Sequence, residues 1–161
     1  MKDIPVPLHP HEWFMRQALK EAQKARGKDE TPVGAVIALH GRIIARGHNE
    51  KELKKDSTLH AEMTAIRKAS KRLGSWRLNE CDLYVTLEPC TMCAGAMIQS
   101  RIRRLYIGTM DPKAGAAGSV LNVLQVGNFN HKVDVEYGLL EKECSDILKD
   151  FFRELRARKQ N

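Results

Sequence analysis

Residue types that bind metal ions occur at two places in the chain. His60 and Glu62 are separated by one residue, and Cys90 and Cys93 by two, directly after Pro89. Cysteines three positions apart on a helical turn point the same way and can share one ion, and His60 can supply a third ligand from a neighbouring helix. Two thiolates and a neutral imidazole balance the charge of Zn²⁺, so the pattern predicts one zinc ion per chain.

Three protein ligands leave a fourth position on the metal for water, which is the arrangement of a catalytic site. Zinc lowers the pKa of such a water to about 7 and so generates hydroxide at neutral pH. Glu62 lies close enough in sequence to His60 to reach that position, and we expect it to shuttle protons. A positioned carboxylate of this kind contributes roughly 10²- to 10⁴-fold to the rate.

Either half of the pattern is ambiguous when it is taken alone. A histidine and a glutamate at this spacing can simply begin a solvated helix. A pair of cysteines at this spacing can be a redox pair, half of a structural zinc site, or two buried thiols. Both halves together, each opening a predicted helix, favour the catalytic metal site. Cys81 and Cys144 lack ligand spacing, and we expect them to be buried or idle thiols.

Hydrophobic periodicity predicts the elements that position these residues. The predicted helices are 12–26, 61–73, 91–100 and the basic C-terminal helix 139–158. The predicted strands are 33–39, 43–46, 83–87, 102–108 and 133–137. This order predicts a three-layer α/β/α fold, in which a mixed five-stranded sheet is flanked by helices on both faces. Short crossover helices favour parallel pairing after the opening hairpin. Within the polar stretch 50–57, the lysine-rich run 51–55 is expected to be a solvated connection that could add to RNA attraction.

Composition agrees with one folded domain over residues 1–161. Hydrophobic residues make up 42% and charged residues 29%, which excludes a disordered chain. The segment 1–10 contains prolines and an acid but no apolar run, so we expect a loose segment rather than a signal peptide or membrane span. The cytoplasm is then the default location.

The charge balance allows a polyanionic partner. The net charge is +7 and the isoelectric point is about 9.4. Near the end of the chain, Phe151, Phe152 and three arginines form a mixture suited to stacking bases and meeting phosphates in single-stranded RNA. A pair of phenylalanines on a terminal helix can equally belong to the core, so the pattern leaves both roles open.

The two halves of the metal pattern together resemble the signature of zinc nucleobase deaminases of the cytidine deaminase-like superfamily. Longer segments are similar to bacterial tRNA adenosine deaminases. They are PVGAVI at 32–37, GHN at 47–49, HAEMTAI at 60–66, YVTLEPCTMCAGAMIQSRI at 84–102, GTMDPKAGAAGS at 108–119 and DFFR at 150–153. The resemblance covers about 12–156, and the metal and catalytic pattern shows no departure from that family.

This resemblance implies hydrolytic deamination of the wobble adenosine to inosine in the tRNA anticodon loop. Zinc-bound hydroxide would attack C6, and Glu62 would deliver protons to N1 and to the departing ammonia. It also implies a homodimer. The base pocket would be formed by Asn49, Val33, Ala61, Leu87 and Pro89. The anticodon stem-loop would be held by Asp111, Lys113, Phe151, Phe152, Arg153 and Arg156.

Two alternatives share part of the pattern. A deaminase of a free base or nucleotide, of the cytosine, guanine or deoxycytidylate type, has the same metal motif, but the basic terminal helix and the loop at Asp111 argue against it. A zinc-stabilised RNA-binding module without catalysis would have a closed metal site and a dispensable Glu62. No fourth protein ligand is evident near the cluster.

Overall fold

A mixed β-sheet forms the centre of the molecule. The computed structural model describes residues 10–160, and within that range it contains five strands and five α-helices. In chain order the elements are α1 (Pro10–Gly27), β1 (Gly34–Leu39), β2 (Arg42–His48), α2 (Lys51–Lys54), α3 (Ala61–Leu73), β3 (Cys81–Leu87), α4 (Thr91–Gln99), β4 (Arg104–Thr109), β5 (Asp134–Glu136) and α5 (Glu141–Lys159).

The strand order is β2-β1-β3-β4-β5. Strand β1 is antiparallel to both of its neighbours, whereas β4 is parallel to β3 and to β5. The first strand, GAVIAL, is almost wholly buried, as expected for a strand with neighbours on both sides and helices on both faces. The predicted mixed five-stranded sheet is therefore confirmed, including the parallel pairing of the later strands.

Helices cover both faces of the sheet, because side chains alternate between the faces along each strand. Helices α1 and α5 pack on one face. The buried side chains of that layer include Phe14, Met15, Val36, Tyr84, Tyr106 and Cys144. Helices α3 and α4 pack on the other face. The buried side chains there include Ile37, Ala65, Ala69, Val85, Met97 and Ile107. This confirms the predicted three-layer α/β/α arrangement.

Four strands have an end on the same side of the sheet. The register pairs Gly34 at the start of β1 with His48 at the end of β2, and Leu87 with Thr109 at the ends of β3 and β4. The segments that follow β2, β3 and β4, and the segment that precedes β1, therefore meet there. The carboxyl ends of strands in open α/β sheets commonly form ligand sites, and this edge carries the residues singled out by the sequence.

Some predicted boundaries differ from the structure. The stretch 50–57 contains the short helix α2, which polar composition did not reveal. Helix α5 begins at Glu141 rather than 139, because Leu140 has a left-handed backbone with φ of 52°. Most of the predicted loose segment, residues 1–9, lies outside the described residues, while Pro10 begins α1. Within residues 10–160, none of the helices combines the length and apolar composition that crossing a membrane requires.

Helix α1 lies so close to β1 that no side chain fits at Gly34. A Cβ atom there would overlap the carbonyl oxygen of Ala18 and the backbone nitrogen of Ala22. We predict that Gly34→Ala lowers the free energy of unfolding by about 1–3 kcal/mol through overpacking, as measured by urea denaturation. The matched control is Gly27→Ala, where nothing lies within 4 Å. Equal stability of the two variants would contradict this contact.

Candidate active site

Three potential metal ligands converge where α3 and α4 begin. His60 is the N-cap residue of α3, Cys90 is the N-cap residue of α4, and Cys93 lies in the first turn of α4. The Sγ atoms of Cys90 and Cys93 are 3.5 and 3.6 Å from Nδ1 of His60. All three ligand atoms lie within 4.8 Å of one another. The structure therefore brings the predicted ligands together, and one metal ion could be held by all three.

The donor set fits a transition-metal ion. Hydrogen bonds from the Cys93 thiol and the His60 ring lower the pKa of Cys90 to about 3, against the opposing effect of burial. The same bond to Cys90, together with burial, raises the pKa of Cys93. Cysteine binds a metal as the thiolate, so a bound cation would displace the remaining thiol proton. Among residues 10–160, this ligand group contains no fourth histidine, cysteine or carboxylate.

Glu62 lies beside this group in the first turn of α3 and is only 3% exposed. Burial raises the pKa of its carboxyl to about 7, and the backbone hydrogen bond and the charge of His60 oppose the rise. A carboxyl group whose pKa is near the working pH can both accept and release a proton. Its position and chemistry suit the proton-transfer role predicted for it.

The ligand group opens into a pocket at the strand ends. The cavity has a volume of about 230 Å³ and opens to solvent. It is lined by Glu30, Thr31, Val33, Asn49, Lys51, His60, Glu62, Leu87, Glu88, Cys90, Asp111 and Ala114. The predicted base-pocket residues Val33, Asn49 and Leu87 are therefore in the wall.

Asn49 is fixed at two points of the pocket. Its backbone N–H donates to the carbonyl oxygen of Val33 at 3.2 Å, and its Oδ1 accepts the N–H of Ala61 at 2.9 Å. These bonds leave the side-chain amide N–H groups of Asn49 to serve as donors. Ala61 and Pro89, also predicted for the base pocket, are buried and do not line it. The carbonyl oxygen of Pro89 accepts the N–H of Ala116 at 2.8 Å.

Sequence reasoning missed Glu30, a buried carboxylate on one rim of the pocket. It is 1% exposed, and its oxygens accept the N–H groups of Glu52 and Leu53 at 3.1 and 2.5 Å. These N–H groups belong to the first turn of α2 and have no partner within that helix. Glu30 therefore holds α2, and with it Lys51, against the pocket. Because α2 itself was not predicted, the sequence offered no signal for this cap.

Sequence reasoning also missed Glu88, another buried carboxylate of the pocket lining. It is 3% exposed and accepts hydrogen bonds from the loop 111–119. Burial raises the pKa of Glu88, but these hydrogen bonds outweigh burial and lower the pKa overall. A signal was available in the sequence, because an acid between an apolar strand and Pro89 needs a buried partner. Alternation along the strand made it resemble an ordinary solvent-facing position.

The predicted RNA contacts are distributed unevenly. Asp111 lines the pocket, whereas Lys113 is exposed on the same loop beyond the lining. On α5, Phe152 is 40% exposed but Phe151 is only 4% exposed. Phe151 packs in the core, so its predicted stacking on RNA is not supported by its burial. The rotation of α5 relative to the sheet, which the sequence does not specify, decides which ring is buried.

The arginines on α5 are accessible. Arg153 and Arg156 both have solvent-accessible side chains, and Arg153 also pairs with Asp150 one turn earlier. Ion pairs between Glu154 and Arg26, at 2.6 Å, and between Arg158 and Asp29, at 3.1 Å, join α5 to the end of α1 and the turn that follows it. The same turn leads to Glu30, so the end of α5 lies on the side of the molecule that leads to the pocket.

Comparison with known proteins gives consistent matches over nearly the whole chain. Residues 9–156 match the family model described as MafB19-like deaminase. The chain is 51% identical over 149 residues to the tRNA-specific adenosine deaminase of Bacillus subtilis (strain 168), an alignment covering 92% of each protein. It is 51% identical over 143 residues to that of Agrobacterium fabrum, covering 89% of this chain and 94% of the relative.

One solved structure is similar to this chain in fold as well as in sequence. It comes from biochemical and structural studies of A-to-I editing by tRNA:A34 deaminases at the wobble position of transfer RNA. It superposes on this chain with a TM-score of 0.82 at 50% identity, and the match covers 84% of this chain and 99% of that one. The similarity therefore extends from sequence to fold.

The cap on α2 can be tested without any substrate. In Glu30→Gln, one carboxylate oxygen becomes an NH₂ group facing a backbone N–H, so a buried hydrogen bond is lost. We predict a decrease of about 1–3 kcal/mol in the free energy of unfolding and faster hydrogen exchange at residues 51–54. The matched control is Glu136→Gln, an exposed glutamate on β5. Unchanged exchange in Glu30→Gln would contradict the cap.

Proposed function

This chain belongs to the family of tRNA-specific adenosine deaminases, and we propose that it converts the wobble adenosine of a tRNA anticodon loop to inosine. In this hydrolysis, water replaces the amine at C6 and ammonia leaves. The observation that carries the proposal is the three-ligand group beside buried Glu62 in an open pocket.

We infer that the metal is zinc, held by His60, Cys90 and Cys93. One imidazole and two thiolates are typical zinc ligands, and a site with three protein ligands keeps a position for water or substrate. When bound, zinc would lower the pKa of water to about 7 and polarise it for attack. The N-termini of α3 and α4 add positive partial charge that favours the thiolate forms.

Glu62 transfers the protons of the reaction. Its carboxylate takes the proton that the attacking water loses and passes it to N1 of the adenine ring. A second proton then moves from the new hydroxyl at C6, through Glu62, to the amine, so that ammonia leaves and the carbonyl of inosine forms. Burial of the carboxyl excludes competing water from this exchange.

The rest of the pocket orients the base. The amide N–H groups of Asn49 donate to the purine, because Oδ1 already accepts the N–H of Ala61. Val33 and Leu87 supply apolar wall, while Ala61 and Pro89 hold the neighbouring backbone, since the N–H of Ala61 donates to Asn49 and the carbonyl oxygen of Pro89 accepts the N–H of Ala116. A target base must be flipped out of its stack to reach such a pocket.

The anticodon loop is held outside the pocket. We infer that Asp111 and Lys113 contact it from one rim, and that Phe152 stacks on a base while Arg153 and Arg156 meet phosphates. The net charge of +7 supports association with a polyanion. Phe151 contributes by packing α5 on the sheet, so the stacking role passes to its exposed neighbour alone.

We further infer that residues 1–161 form one domain, that the protein is a homodimer, and that it acts in the cytoplasm. The family resemblance supports the first two statements. The third is supported by a tRNA substrate, which is used for translation in that compartment.

Removing the carboxylate of Glu62 tests its proposed role in proton transfer. Incubated with an anticodon stem-loop RNA, the zinc-loaded protein is expected to produce inosine at the wobble position. We predict that Glu62→Gln reduces kcat by about 10²- to 10⁴-fold while zinc content stays at the wild-type level. The matched control is Glu136→Gln, an exposed residue on β5. Full activity of Glu62→Gln would exclude the shuttle, and activity on free nucleosides alone would exclude the RNA substrate.

Loss of a ligand tests the metal. We predict that His60→Ala or Cys90→Ala lowers bound zinc from about one per chain to near zero, because three protein ligands are the fewest usual for zinc. Elemental analysis measures the metal, and Cys81→Ala is the control, a buried thiol outside the ligand group. Retention of zinc by His60→Ala would contradict the assignment.

A further inference from the structure

Glu88 is a carboxylate enclosed by a single loop. It lies just after β3 and two residues before the ligand Cys90, and it is 3% exposed. Burying a charge is costly unless hydrogen bonds replace the lost water. Here the replacement comes from backbone and hydroxyl groups of the segment Asp111–Ser119, which connects β4 to the rest of the chain.

Both carboxylate oxygens of Glu88 accept hydrogen bonds from the loop. Oε1 accepts the N–H of Asp111 at 2.9 Å and the hydroxyl of Ser119. Oε2 accepts the N–H of Ala117 and the N–H of Ser119, both at 3.0 Å. A carboxylate has about four lone-pair sites, and these four donors occupy them. Both ends of the loop are therefore tied to one side chain.

The middle of the loop also closes on this carboxylate. A Cβ atom at Gly115 would overlap the carboxyl carbon and both oxygens of Glu88. The neighbouring N–H of Ala116 donates to the carbonyl oxygen of Pro89 at 2.8 Å. The loop is therefore wrapped around the turn that presents Cys90, and Gly115 is the residue type that permits the approach.

The loop held by Glu88 forms part of the pocket. Its residues Asp111 and Ala114 line the pocket together with His60 and Glu62. We propose that Glu88 is a positioning residue that fixes the Asp111–Ser119 loop at the pocket mouth and thereby determines how well the RNA strand around the target base is bound. This inference rests on the proposed function. Since its lone pairs are occupied, Glu88 is not a second proton shuttle.

The first test replaces the carboxylate by an amide of the same shape. In Glu88→Gln, an NH₂ group must face either the donors of Asp111 and Ser119 or those of Ala117 and Ser119, so the loop loosens. With zinc-loaded protein and an anticodon stem-loop RNA, we expect KM to rise roughly tenfold or more and to change more than kcat, because a loosened loop must be ordered again when the RNA binds and this ordering lowers the affinity. Zinc content should equal that of the wild type.

Hydrogen exchange supplies a readout that does not depend on activity. Amides in the Asp111–Ser119 loop should exchange faster in Glu88→Gln than in the wild type. The matched control is Glu80→Gln, at the opposite end of β3, whose side chain is 69% exposed. Unchanged exchange in the loop, or a fall in kcat with an unchanged KM, would overturn the proposal.

A second perturbation approaches the same contact from the loop. Gly115→Ala places a methyl group against the Glu88 carboxyl, and we expect it also to raise KM for the stem-loop. In a Glu88→Asp background the shorter side chain makes room for the added methyl group. Gly115→Ala should therefore raise KM less in that background than in the wild type, because the effects of substitutions at contacting residues are not additive. Strict additivity would overturn the proposal. This arm decides the matter if Glu88→Gln does not fold.

The outcomes also separate this inference from the proposed function. If the wild-type protein forms no inosine in the stem-loop, the proposed function fails, whatever the variants do. If the wild type is active and Glu88→Gln matches it in both KM and loop exchange, only the role of Glu88 fails.

Discussion

The candidate site depends on one contact, between the first turns of α3 and α4 at the strand ends of the sheet. His60 and Cys90 are N-cap residues of different helices, yet their ligand atoms are within 3.5 Å of each other. Such proximity requires the two helices to lie side by side on the same face. Helix α3 is also seated closely on β2, since a Cβ atom at Gly47 would overlap the carbonyl oxygen of Ala61 and the backbone nitrogen of Ala65. A bulkier residue than glycine there would force α3 away from the sheet.

Around this centre, two buried acids establish the shape of the pocket. Glu30 holds α2 and Glu88 holds the loop 111–119, and both acids line the pocket. Neither role is catalytic. Each carboxylate substitutes for backbone partners that an irregular segment cannot find by itself, since buried N–H groups must be hydrogen-bonded. The pocket rims are therefore specified by side chains distant in sequence, while the ligands are specified locally.

That distinction determines what the sequence could predict. The ligands and Glu62 lie within short motifs at helix starts, so their spacing in sequence is nearly their arrangement in space. Regular periodicity likewise identified the sheet and its four long helices. By contrast, α2 has a polar composition and depends on Glu30, which is more than 20 residues away. The division between buried Phe151 and exposed Phe152 depends on how α5 docks, and neighbouring aromatic residues give no sign of it.

The proposed chemistry requires three protein ligands that hold a metal and leave it open beside Glu62. X-ray absorption spectroscopy of the purified zinc-loaded protein measures this most directly. We predict two sulfur ligands at about 2.3 Å and two nitrogen or oxygen ligands at about 2.0–2.1 Å, of which one is the His60 imidazole and the other is not supplied by the protein. A spectrum with three or four sulfur ligands, or one unchanged by Cys90→Ala, would contradict this arrangement.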